Sequence, residues 1–201
     1  MNFGTTTVTE HFLSQYLTNY NVSKETIEFL LMKITSEKLQ IRDVFSSVGK
    51  VCNKIGILLN GLLYASFCPE DNIDEKVSRF FYVPRNIIVT SFESFSKATS
   101  SSESIIALEE SFLLCINKSD LEQAYTLSPG LERLGRVMAE ESYVQASQRI
   151  RSLEVLKAKE KILDFRKTHP VLVNRSSIQI QQIASYLGMH RNVYTKHANK
   201  C

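Results

Sequence analysis

The 201-residue sequence has only four cysteines, four histidines and seven glycines, and each shortage removes a class of chemistry. Cys52, Cys68, Cys115 and Cys201 are scattered without C-x-x-C spacing, which argues against a zinc site or a cysteine-ligated cluster. Reduced thiols are expected instead, three of them in strand-like apolar surroundings. His169, His190 and His197 do not have metal-ligand spacing, so no metal is expected. No glycine-rich loop cradles a phosphate and no motif sets a nucleophile beside a base, so an enzyme is the least expected class. No apolar run is long enough to span a membrane, and no basic-then-apolar leader opens the chain. The expectation is a cytoplasmic protein without a membrane partner.

What is present is an uneven charge. Residues 145–201 hold 11 Lys and Arg against 3 Asp and Glu, a net of +8, while residues 1–144 carry −5, giving the overall +3. An acidic body with a basic end suggests a footprint for a polyanion, although solvated helix faces produce the same asymmetry.

The basic end contains the most organised stretch, residues 180–196. Ile183, Ala184 and Leu187 share one helical face, and Gly188 ends that helix at a position where a left-handed residue costs glycine little. Tyr194, ten positions beyond Ala184, then closes the angle with a second helix. This is the pattern of a helix-turn-helix, whose second helix would present Arg191, Asn192, Thr195 and Lys196 to bases or phosphates. His190 and His197 flank the same face, as exposed bystanders or phosphate contacts. An ordinary helical hairpin shares the pattern.

Before it, the periodicity changes twice. Residues 11–33 read as one or two short helices, the second starting at Ser23, covering one side of a sheet. Strands follow. Residues 39–44 alternate, and residues 55–67 form two apolar runs broken at Asn60 and Gly61, a hairpin signal. Pro69 opens a further turn, and residues 76–83, 86–90, 104–108 and 112–116 are short strands, with one helical turn near Glu93 to Phe95. Many short strands with polar turns suggest a barrel or jelly roll. Helical spacing returns at Asp120, and Ser128 with Pro129 starts a helix of about 25 residues. Its stripe of Leu131, Leu134, Val137, Met138 and Val144 suits a dimer seam or packing on its own domain, and Gly135 suits close helix approach. Residues 158–168, with Ile162, Leu163 and Phe165 inward, form another helix stopped at Pro170. Lys157, Lys159, Arg166 and Lys167 are candidate phosphate contacts or ordinary solvated positions.

The order of these parts resembles the Crp/Fnr family of bacterial transcription regulators, from about Ser23 to Lys200. The resemblance rests on residues 55–64, 106–110 (Ile-Ala-Leu-Glu-Glu), 131–136 (Leu-Glu-Arg-Leu-Gly-Arg) and 183–188 (Ile-Ala-Ser-Tyr-Leu-Gly), and looks most like the short branch common in Bacteroidetes-type bacteria. It implies an α+β fold: a cyclic-nucleotide-binding-like jelly roll with flanking helices over 1–127, a dimerisation helix over 128–156 and a helix-turn-helix domain over 157–201. It implies a homodimer on a near-palindromic DNA site, with RNA polymerase as a further partner. The family often reads DNA with Arg-Glu-Thr-Val-x-Arg. Here Arg191 matches, Asn192 replaces the Glu and favours adenine, and Lys196 keeps the last charge without the fork. Members that bind cyclic nucleotides carry Gly-Glu and an Arg-Ser/Thr-Ala cassette. This chain has no arginine between Arg85 and Arg133, and Glu103 stands near where the cassette's arginine would be. Cyclic AMP is therefore not expected in the usual manner. The candidate effector pocket is Phe92, Glu93, Ser94, Glu103 and Ser104, with no cofactor named. A ligand-sensing or protein-interaction module with a degenerate DNA-binding end is the alternative.

Overall fold

The computed structural model describes residues 17–67, 75–85 and 87–198. Phe12, Leu13 and Tyr16 of the first expected helix, the turn at Pro69, Asn86, Cys68 and Cys201 lie outside these residues.

Helix α1, Lys24–Lys33, starts where Ser23 accepts a hydrogen bond from the Thr26 N–H, and it buries Ile27 and Leu30. Among the described residues eight strands follow: β1 Thr35–Leu39, β2 Val44–Ser46, β3 Lys54–Asn60, β4 Leu62–Phe67, β5 Lys76–Tyr82, β6 Ile88–Val89, β7 Ser104–Ala107 and β8 Ser111–Asn117, with helix α2, Phe92–Lys97, between β6 and β7. They form two antiparallel sheets, ordered β1-β8-β3-β6 and β2-β7-β4-β5. The inner faces close over Leu39, Phe45, Leu58, Leu63, Phe81, Ile105 and Leu113.

Two expectations for the strands are corrected. Asn60 and Gly61 do not make a hairpin, because β3 and β4 belong to different sheets. Gly61, at φ +109°, carries the chain over Ser111 from one sheet to the other, and a β-carbon there would collide with the Ser111 backbone. Left-handed backbone and close approach both require glycine at that corner. Residues 39–44 are likewise not one strand. The Asp43 carboxylate accepts from the Gln40 N–H at 2.7 Å and closes a turn between β1 and β2.

Strand β4 is buried at five consecutive positions, Leu62 to Ser66. Its odd members, Leu63 and Ala65, face the interior of the roll. Its even members, Leu62 and Tyr64, face outward into a second core with Val77, Phe80 and Tyr82 of β5. A strand covered on both faces loses the alternation of a half-buried one.

After β8 the chain is helical: α3 Lys118–Leu127, α4 Pro129–Val155, α5 Ala158–Thr168, α6 Pro170–Val173, α7 Ile180–Tyr186 and α8 Arg191–Ala198. Ser128 caps α4 by accepting from the Leu131 N–H, with Pro129 in the first turn. At 27 residues, α4 is about 40 Å long. The expected stripe on it divides. Leu131 and Leu134 are buried within the chain against α1, α3 and β8, whereas Val144 is exposed. Gly135 admits the Tyr125 hydroxyl of α3, so its space is already filled within the chain. Beyond that point Tyr143, Val144 and Ile150 are 74%, 51% and 54% exposed, which gives this part of α4 an apolar side toward solvent. On α5, Ile162 and Phe165 are buried, but Leu163 faces solvent.

Candidate nucleic-acid interface and junction cavity

The apolar faces of α5, α6 and α7 cover the outer side of β4 and β5. Ile162, Phe165, Leu172, Ile178, Ile183 and Leu187 form one core with Leu62, Tyr64, Val77, Phe80 and Tyr82. Polar ties reinforce it. Glu109, after β7, accepts from Arg175 Nη1 at 2.5 Å and from Ser177 Oγ at 2.6 Å. Ser185 Oγ of α7 accepts from the Val77 N–H at 2.9 Å.

Within this frame α7 and α8 make the angle read from the sequence. Ile183, Ala184 and Leu187 are buried, Gly188 sits at φ +65°, and Tyr194 packs into the same core. The half-buried side of α8 carries Tyr194, His197 and Ala198, while Arg191, Asn192, Val193, Thr195 and Lys196 are exposed. Among the described residues, neither Arg191 nor Lys196 forms an ion pair. Thr195 Oγ1 donates to the Arg191 carbonyl at 3.0 Å, so its hydroxyl is already engaged on its own helix. His190 is exposed and helps to start α8. Its Nδ1 accepts from the Asn192 N–H at 3.3 Å, satisfying one of the free donors of the first turn.

Of the four basic side chains read as candidate phosphate contacts, Lys157, Lys159 and Lys167 are exposed. Arg166 is half-buried and donates from Nη2 to the Ala198 carbonyl at 3.1 Å, fastening the end of α8 to α5. It is spent on positioning the helix, which its sequence neighbourhood did not show.

The expected effector pocket is redistributed. A cavity of about 470 Å³ lies between β5, α4 and the C-terminal helices, lined by Phe92 and Glu103 but also by Arg79, Met138, Arg149, Phe165 and Tyr186. Glu93 is not among its lining residues and pairs with Lys97 at 2.9 Å. Ser94, on the buried side of α2, accepts from the Cys52 N–H and donates to the Thr99 carbonyl. Ser104 Oγ accepts from the Val48 N–H at 3.0 Å. None of the three lines the cavity: Ser94 and Ser104 hold loops of the roll, and Glu93 pairs along its own helix. Glu103 accepts from Arg79 Nη2 at 2.7 Å and from Ser78 Oγ at 3.1 Å. Arg79 of β5, twenty-four residues earlier in the chain, is thus the arginine that faces Glu103, and the two already neutralise each other. No motif could show this, because only the antiparallel pairing of the outer sheet brings β5 beside the end of that loop.

At the junction, His169 lies between two tyrosines, with Nδ1 2.7 Å from Tyr82 Oη and Nε2 3.4 Å from Tyr186 Oη. Burial, helped by the charge of Arg85, holds its pKa down at about 4. The folded protein thus keeps His169 neutral, whereas the unfolded chain protonates it near its ordinary 6.5. Between those values only the unfolded state binds the proton, so stability present above pH 6.5 is lost as pH falls toward 4. Allowing for partial exposure, the expected loss is on the order of 2 kcal/mol. Urea melts at pH 7.5 and 4.5 should show it, and His169→Gln should lose correspondingly less on acidification.

No protein-family model matches the chain, and no curated protein matches its sequence. Solved structures do match. A Crp/Fnr-family putative transcriptional regulator from Eubacterium rectale aligns with a TM-score of 0.70 at 13% identity, over 90% of this chain and 87% of that one. The c-di-GMP-responsive global regulator CLP of Xanthomonas campestris gives 0.66 at 16% identity, over 89% and 91%. A cyclic nucleotide-binding domain containing protein from Listeria monocytogenes gives 0.65 at 12%, over 94% and 89%. Identities this low establish shared architecture. With its two-sheet roll, its long helix and its terminal helix-turn-helix, the chain has the fold of the Crp/Fnr transcriptional regulators.

Proposed function

We propose that the protein is a sequence-specific DNA-binding transcription regulator of the Crp/Fnr type, acting in the cytoplasm as a homodimer. The observation that carries this reading is α8: one side is built into the core, and the other offers Arg191, Asn192 and Lys196 to solvent. Arg191 suits a guanine edge and Asn192 an adenine edge. The outward apolar face of α4 around Tyr143 and Ile150 supports pairing with a second copy. Two reading helices would then enter successive major grooves on a near-palindrome. RNA polymerase is a further partner consistent with this class. Cyclic AMP is not the effector in this reading, since Glu103 would set a carboxylate against the phosphate at the roll end of the cavity.

Selection of bound fragments from random duplex DNA tests the reading. Wild type should enrich a two-fold symmetric site, with affinity falling steeply with salt as counterions cease to drive binding. Ile150→Glu should sediment as a monomer and enrich no symmetric site. Failure to enrich any sequence, with binding only to a protein partner, would overturn the proposal.

A further inference from the structure

The cavity at the junction is within the size range of small-molecule sites, and its walls contain Arg79, Arg85, Arg149, Glu103, Glu141 and Asp164. These charges balance in number but are not equally neutralised. Arg79 and Glu103 pair with each other. Arg85 is exposed and donates to the Thr168 carbonyl. Asp164 accepts from Ser152 Oγ at 3.5 Å, and Glu141 is exposed.

Arg149 differs from all of them. Its Nη2 donates to the Val77 carbonyl at 3.3 Å and to the Tyr186 carbonyl at 3.0 Å. Its guanidinium lies 4.7 Å from the Tyr186 ring centroid. Its Nε is buried without a hydrogen-bond partner, and among the described residues no carboxylate pairs with it. Burial and the neighbouring Arg79 make its charged form less favourable than usual. A half-buried cation held by two carbonyls and an aromatic ring, beside a second arginine and without a paired carboxylate, is costly, and a counter-anion relieves that cost. Phe92 and Tyr186, both part-exposed, supply aromatic surface to the cavity, while Phe81 and Phe165 among its lining residues are only 1% and 2% exposed.

We propose that this cavity binds a small amphipathic organic anion whose carboxylate or phosphate head pairs with Arg149 and whose apolar body lies against the aromatic walls. The head sits at the junction end, beside Arg149, while Glu103 is already paired with Arg79. Because Arg149 already ties a roll carbonyl to a helix-turn-helix carbonyl, an anion held there bears on how the two parts are joined. That consequence rests on the regulator reading; the binding does not.

Two fluorescent probes with the same naphthylamine body test the site: 8-anilinonaphthalene-1-sulfonate, which is anionic, and N-phenyl-1-naphthylamine, which is neutral. The anionic probe should bind wild type with one site per chain, at least about tenfold more tightly than the neutral one. Arg149→Met should weaken the anionic probe about tenfold, equivalent to roughly 1.4 kcal/mol, and leave the neutral probe unchanged. Arg151→Met, at an exposed position of the same helix, should change neither. Near-ultraviolet circular dichroism excludes loosened packing as the source of fluorescence. Equal binding of the anionic probe by wild type and Arg149→Met, or equal affinity for the two probes, overturns the proposal. Should Arg149→Met fail to fold, Ser142→Trp fills the cavity from a side chain that bonds only its own helix; undiminished anion binding by that variant is equally fatal. DNA affinity is measured separately without probe, so a wrong regulator assignment and a wrong anion site give different results.

Discussion

Phe80→Ala is expected to cost about 3–5 kcal/mol of unfolding free energy and to loosen the helix-turn-helix from the roll in the same step. Phe80 is 2% exposed on the outer face of β5, with its ring 5.3 Å from that of Tyr186 of α7. Truncation removes a large buried side chain and leaves a void bounded on one side by a sheet and on the other by helices. Strand β5, hydrogen-bonded along its length to β4, cannot sink into that space, so little of the cavity term is recovered by collapse. The whole outer face of β4 and β5 shares this core with α5, α6 and α7. Thermal unfolding should therefore remain a single transition, with its midpoint lowered on the order of 10 °C. Two separated transitions, with the roll melting as in wild type, would show that the shared core does not couple the parts. Phe81→Ala is the informative companion. Its side chain faces the roll interior, so it should cost a similar amount without selectively releasing the C-terminal helices.

This pair of neighbours also shows what the sequence makes legible. Aromatic and apolar residues at both parities of residues 80–82 and 62–65 indicate strands buried on two faces, but not what covers the second face. The cover lies a hundred residues away, and its own apolar positions, Ile162, Leu172 and Ile183, look like the private core of a small domain. Local signals fared better. Ser23 and Ser128 act as caps, and Gly188 adopts the left-handed turn. The signal at Asn60 and Gly61 misled because a glycine that changes sheets and one that closes a hairpin need the same backbone freedom. Only the partner, Ser111, distinguishes them.

The candidate sites divide in the same way. The exposed face of α8 follows from helical spacing, so Arg191, Asn192 and Lys196 fall on one surface by periodicity alone. The cavity depends on residues from β5, the loop before β7, α4 and α5, and spacing along the chain carries no information about their meeting. Arg149 sits among Gln, Ser and Arg residues of a long helix and reads as a solvated position. Its distinction is the absence of a carboxylate partner at a packed junction, a property that only the folded arrangement possesses.

Removing both exposed cations of α8, with Arg191→Ala and Lys196→Ala together, should lower affinity for the selected DNA site at least about a hundredfold while leaving the fold intact. An arginine forked onto a guanine contributes about 1–3 kcal/mol of discrimination, and a two-fold symmetric complex loses it in both half-sites. The lysine adds a charge that should appear in the salt dependence, so the slope of log affinity against log salt should flatten by about one for each phosphate contact removed. Stability should change by less than about 0.5 kcal/mol, because neither side chain is buried or paired. The single variants divide the effect further. Arg191→Lys keeps the charge and loses the fork, so specificity should relax more than affinity falls. Lys196→Ala alone should weaken binding to all sequences alike if it contacts phosphate, and relax one position if it contacts a base. An unchanged affinity in the double variant, with circular dichroism and sedimentation matching wild type, would remove α8 as the reading element.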